Sequence, residues 1–403
     1  MRKRCLIVLI LMISILAFCL FMSQASGETD EDDIDEQLEE ELNNNIDSSL
    51  DSLDLSEIED FYNEQGNIGI FTEDKDLKTL ISDFASGKMF VDYDNIFEFI
   101  VDSVFSGIKN TLPIIVQIMI ISILFAILSG FSPAFGKEGV SGIAYWAEYL
   151  LICGICLGAF ISMFNQGITI IDGLSSFSTN FFPVMYLLLT MIGGISTTNL
   201  LKPATTIITG GISAFIKTFI LPLLLIMCVM IIISTFSKTV KLNSFTGVAK
   251  SIIKWSLGIV FIIFIGFISL QGLIGGTFDG VSIKAAKYTI DKVVPVIGGM
   301  LSDTVDMMVV SSALIKNALG VAGIIMILGI TFIPAVNLLA QYFVFRIAAA
   351  VIKPISDNSV SELLHGMSEA FMYLLAVVAT VGVIFIASIS MVMSAGNMNL
   401  MLR

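Results

Sequence analysis

Ala370–Ser394 reads AFMYLLAVVATVGVIFIASISMVMS, 25 residues without a single charge. As an α-helix it would be about 37 Å long, more than the roughly 30 Å hydrocarbon core of a bilayer. Working outward, the same kind of stretch recurs at Leu112–Gly130, Ile143–Phe164, Thr218–Phe236, Trp255–Gly275 and Leu319–Ala340. Apolar residues make up 56% of the 403 and charged residues only 14%, with a mean hydropathy of +0.91. A soluble domain is about a quarter charged. The composition excludes a nucleic-acid module, a disulfide scaffold and a disordered chain, and it predicts an all-α polytopic membrane protein.

Charge then divides the chain. Residues 28–110 carry 25 acidic and four basic residues, whereas 111–403 carry ten acidic and fourteen basic ones. Arg2, Lys3 and Arg4 precede an apolar run from Leu6 to Met22, and Ser23-Gln24-Ala25 offers small residues for cleavage. Residues 1–25 are therefore predicted to be a signal peptide, with an uncleaved anchor as the alternative. Either places residue 26 onward outside the cytoplasm. Residues 26–57 form an acidic leader, expected to be disordered through self-repulsion, with an extended or loosely helical stretch at its start. Residues 58–110 are expected to form extracytoplasmic amphipathic helices, the last lying on the bilayer surface. Residues 111–403 are the transmembrane helical domain.

Phe181–Ser196 is a seventh, shorter apolar piece. If it spans, the loop 237–254 falls outside with Lys238, Lys241, Lys250 and Lys254, against the tendency of cytoplasmic loops to collect basic residues. The conflict vanishes if 181–215 is re-entrant. The loops 131–142, 237–254 and 341–369 are then cytoplasmic and the C-terminus lies outside. The reading is six spans with one or two re-entrant or amphipathic segments, seven spans being the alternative. Candidate re-entrant hinges are Pro183, Gly193, Gly194, Pro295, Gly298 and Gly299. Pro183-Val184 followed by Pro222 matches Pro295-Val296 followed by Pro334 at a constant offset of 112, the trace of a weak internal repeat.

Motifs for chemistry are scarce. The chain has one histidine, His365, read as part of a cytoplasmic loop beside Glu362 and Glu369. HExxH, GxSxG and Walker A spacings are missing from the sequence. Cys153 and Cys156 have CxxC spacing inside an apolar span and read as packing thiols. No catalytic residue, cofactor or metal is assigned. A charge at mid-bilayer costs roughly 2.5–3.5 kcal/mol. Charged residues in apolar surroundings are therefore candidates for a polar path or assembly contacts: Asp303, Asp306, Lys316, Asp291, Lys287 and Glu148. The alternative for the 277–317 group is an amphipathic surface helix with its charged face in water. Lys217 is expected to snorkel to the interface.

Ser269-Leu-Gln-Gly272 through Asp279-Gly280, Ala285-Ala286-Lys287, Pro295-Val-Ile-Gly298, Ser302-Asp303 with Asp306, Leu314-Ile-Lys-Asn317 with Gly320, and Ser394-Ala-Gly-Asn397 ending Met401-Leu402-Arg403 resemble the stage III sporulation protein AE family of endospore-forming bacteria. The likeness covers roughly residues 110–403. It implies a membrane subunit of a secretion-like channel or export gate between mother cell and forespore, needed after engulfment. The implied partners are other stage III sporulation channel proteins, including a separate secretion-type ATPase and ring-forming subunits that face stage II sporulation protein Q. The implied location is the mother-cell membrane facing the forespore. The competing function is a self-contained secondary transporter whose Pro-Val segments are broken helices around a substrate site.

Overall fold

In the computed structural model, residues 36–64, 76–87, 93–131, 138–236, 243–293, 298–355 and 358–395 are described. Among them are three short helices, α1 (Glu36–Asp51), α2 (Ser56–Glu64) and α3 (Leu77–Ala85). Six long ones follow: α4 (Tyr93–Phe131), α5 (Glu138–Met191), α6 (Ile195–Phe236), α7 (Asn243–Val293), α8 (Gly298–Ile352) and α9 (Asn358–Ser394). Each of these six contains a stretch long and apolar enough to cross a membrane. The chain is a multi-pass membrane protein.

The long helices exceed the expected spans. α5 has 54 residues and α8 has 55, so each is about 80 Å long. Pro183 lies inside α5, Pro113 inside α4 and Pro334 inside α8 without ending them. α6 runs through two wide π turns, Ile207–Gly211 and Ile216–Ile220. Pro203 precedes the first and Pro222 follows the second. Each proline removes a backbone donor, and threonine hydroxyls add bonds to carbonyls along the stretch that leads into the first π turn. Thr205 donates to the Leu201 carbonyl at 3.0 Å and Thr209 to Thr205 at 2.8 Å.

The re-entrant reading of 181–215 is corrected here. Residues 181–191 complete α5 and 195–215 begin α6, so the stretch turns back as the tip of one helical hairpin. Gly193 makes the turn at φ +90°. The Gly194 amide donates to the Leu189 carbonyl and the Gly193 amide to Thr190, both at 2.9 Å, the bonding of a Schellman cap. Gly193 and Gly194 are thus helix-ending residues, and Pro183 is not a hinge. Pro295 lies outside the described residues, while Gly298 and Gly299 open α8. The cytoplasmic loop expected at 341–369 is also mostly helix, because α8 runs to Ile352 and α9 starts at Asn358.

The N-terminal segment differs in the same direction. The leader expected to be disordered over 26–57 is helical from Glu36 to Asp51. Asp47 and Asp51 are exposed while Ile46 and Leu50 are buried. Ser82 donates to Asp47 at 2.9 Å, Ser86 to Asn43 at 2.8 Å, and Lys78 pairs with Asp51 at 3.2 Å. α1 and α3 pack on each other and on α8, and α2 on α5. Burial of an apolar stripe offsets the repulsion that sequence reasoning emphasised. The amphipathic run 96–110, expected as a separate surface helix, is continuous with the first span in α4.

Contacts fix the relative heights of the helices. Phe160 of α5 and Phe345 of α8 both meet Phe371 of α9, at 5.8 and 5.0 Å between ring centroids. Higher up, Gly323 of α8 sits between Phe181 and Ile389. The end of the second apolar stretch is therefore level with the start of the sixth. At 1.5 Å per residue their centres are offset by roughly 25–30 Å. The six stretches are not in register along the bundle.

Candidate functional site

Sequence-predicted residues separate into three groups. Lys287 and Asp291 are on α7 and Asp303 and Asp306 on α8, but their side chains lie outside the described ones. Lys316 is fully buried on α8 and donates to the carbonyl of Ala395, just past the end of α9. An ammonium on a helix's last carbonyls is stabilised by the helix dipole. Lys316, Gly320 and Gly323 share one face of α8, and Met393 and Ile389 of α9 fill the space above the glycines. This is a close-packed seam of small residues. Glu148 is buried on α5, beside Tyr149, whose hydroxyl donates to the Ile232 carbonyl at 2.8 Å. Lys316 and Tyr149 tie helices together at opposite ends of the bundle; the structure does not bring Lys316 and Glu148 into one path.

Lys217 does not reach for the interface alone. It forms an ion pair with Asp172 across the α5–α6 hairpin. Both side chains are about half exposed, so the pair adds little stability but fixes the register of the two arms.

The structure assembles a charged cavity that the sequence did not disclose. At the end of the bundle where α6 and α8 stop and α7 and α9 start, a cavity of about 570 Å³ is lined by Lys250, Arg346, Lys353, Glu362, His365 and Glu369, among others. Lys250 is paired with Glu369, both mostly buried. Arg346 Nη1 lies 3.4 Å from His365 Nδ1. Gly366 lets Ile231 of α6 close on α9: a Cβ there would lie 2.4 Å from Ile231 Cγ2. The lysines and arginine were read as topology markers and His365 as a loop residue. Helix continuity through 358–394 places His365, Glu362 and Glu369 on one face at spacings of three and four. That i, i+3, i+4 spacing was the available signal. The cluster offers cations, carboxylates and an imidazole to a charged group at the bundle end. Among the described residues no group suited to hold a metal ion occurs, and Cys153, Cys156 and Cys228 are buried thiols.

A family model described as Stage III sporulation protein AE (spore_III_AE) matches residues 75–396. The Stage III sporulation protein AE of Bacillus subtilis (strain 168) is 25% identical over 402 residues, covering 100% of both chains. No solved structure matches. The chain belongs to the stage III sporulation protein AE family.

Proposed function

We propose that this member of the stage III sporulation protein AE family is a membrane subunit of a secretion-like channel or export gate between mother cell and forespore. In this reading it sits in the mother-cell membrane facing the forespore, with its N-terminal region extracytoplasmic. It works after engulfment with other stage III sporulation channel proteins, a separate secretion-type ATPase and ring-forming subunits. The observation that carries the reading is a family match across most of a chain built from six long apolar helices. Large apolar side chains on α4 and on the outer face of α7 are turned out of the bundle, including Ile120, Ile127, Trp255 and Ile262. That suits a subunit set among lipids and partners. The charged end of α6–α9 offers a docking point on the cytoplasmic side, and energy would come from a separate subunit.

The transporter alternative calls for helices broken at mid-depth, whereas Pro183 lies within an unbroken α5. The deciding experiment is affinity purification of the tagged chain from sporulating cells. Ring-forming subunits and an ATPase are expected to co-purify. A chain that purifies alone and drives solute uptake in proteoliposomes would overturn the channel reading. Orientation is tested with Ser244→Cys at the exposed start of α7, which only membrane-permeant reagents should label in intact cells.

A further inference from the structure

A second cavity lies away from the charged one. Asn110 and Thr111 of α4, Ser162 and Gln166 of α5, and Asn337 and Gln341 of α8 converge on a space of about 510 Å³. Four of these six residues are carboxamides, drawn from three helices. Ile114, Ala159 and Met163 also line it, and among the described residues no ionisable side chain belongs to the lining. Gln341 is only 5% exposed, and its Oε1 has no hydrogen-bond partner among the described residues. Buried amide oxygens are otherwise almost always satisfied. The close approach of α4 to α8 is built in: at Gly107 a Cβ would lie 3.0 Å from Asn337 Oδ1. Thr111 is spent internally, donating to the Gly107 carbonyl at 2.8 Å.

The chemistry of the wall selects the ligand. A carboxamide offers donors and acceptors together and carries no charge. An ion entering would lose its hydration without meeting an opposite charge. A solute bearing its own carboxamide can pair with the wall in both directions, and the space matches ordinary small-molecule sites. We propose that this cavity is a binding site for an uncharged, carboxamide-bearing solute, with Gln341 as its buried anchor. The site is independent of the channel reading and would stand if that reading failed.

The test uses the full chain in detergent with Ser162→Cys, read at that position by peptide mass spectrometry so that native thiols do not count. The reagent is uncharged hydroxyethyl methanethiosulfonate, and the competing probe is N-acetylglycinamide. Labelling is expected to slow about threefold when the probe fills two-thirds of the sites. Equal concentrations of acetate or tetramethylammonium should leave the rate unchanged. Gln341→Met should abolish protection while labelling continues, and Asn110→Leu at the exposed rim should weaken it if the first variant fails to fold. Failure to label, absence of protection, equal protection by all three solutes, or protection that persists in both variants would each overturn the assignment.

Discussion

Replacing Gly323 by alanine tests the packing that joins α5, α8 and α9. A methyl group there would lie 2.4 Å from Cζ and 2.7 Å from Cε2 of Phe181, and 3.2 Å from Cδ1 of Ile389. Ordinary carbon contacts begin near 3.5 Å, so the ring must retreat by roughly 1 Å. It has little room, being fully buried with the Phe177 ring centroid 5.0 Å away and Phe182 at 6.3 Å. Overpacking of this kind costs about 1–3 kcal/mol. Alanine in place of glycine also returns about 1 kcal/mol of helix propensity. Gly154→Ala separates the two effects, because nothing lies within 4 Å of its new methyl. Both variants gain the same propensity, so their difference isolates overpacking. Gly323→Ala should be about 1–3 kcal/mol less stable than Gly154→Ala in detergent–SDS unfolding followed by circular dichroism. Adding Phe181→Leu to Gly323→Ala should recover part of the loss. A Gly323→Ala protein at least as stable as Gly154→Ala would refute the reasoning, because Phe181 would then not be held where the structure places it.

Gly193→Ala puts an L-residue at φ +90°, costing about 1–2 kcal/mol; amide exchange at Ile192 and Gly194 should accelerate roughly tenfold, and unchanged exchange would count against the cap. Lys250 and Glu369 are 24% and 15% exposed, so losing either should destabilise the chain by about 1–3 kcal/mol. The exchanged pair Lys250→Glu with Glu369→Lys should restore stability, and a swap no better than the single changes would exclude a specific pair. Glu59 is held above its ordinary pKa, first by its hydrogen bond to Asp76, then by burial and the Asp76 charge. The α2–α3 link it makes is complete at acid pH and is lost as pH rises through that raised value. Asp54 is held low by hydrogen bonds from Ser56, so its contribution is present above its unfolded value and fades as pH falls through the folded one. Carboxyl NMR should show Glu59 titrating above and Asp54 below free residues; the reverse order would contradict the geometry.

Much of this architecture was legible from residues alone. Six apolar stretches, five of them without a charge, gave six long helices, and Gly193-Gly194 marked a break because glycine readily takes the positive-φ backbone that ends α5. What misled was the reading of helix ends. Pro183 was treated as a breaker, yet a proline inside a long apolar helix costs one hydrogen bond that its neighbours help to replace. The leader was judged by net charge, whereas the spacing of Ile46, Leu50, Leu77, Leu80 and Ile81 shows a buried stripe that α8 covers. Lys316 looked like a path residue because a charge among apolar residues suggests water. The Ala395 carbonyl that satisfies it comes from 79 positions away. No local pattern announces such a pairing, nor the meeting of Arg346 with His365, nor the convergence of Gln341 and Asn110 on one cavity.

The sequence by itself determined that this chain is helical and multi-pass, because uncharged runs of that length can satisfy their backbone in hydrocarbon only as helices. It could not say which runs face lipid and which face protein, since a leucine is equally content against either. The tertiary structure decided that. The apolar window of α4 is only 17% buried within the chain, while those of α8 and α9 are 61% and 67% buried. Side chains that composition assigned to the bilayer are in α8 and α9 mostly the core of the bundle, because neighbouring helices rather than lipid surround them.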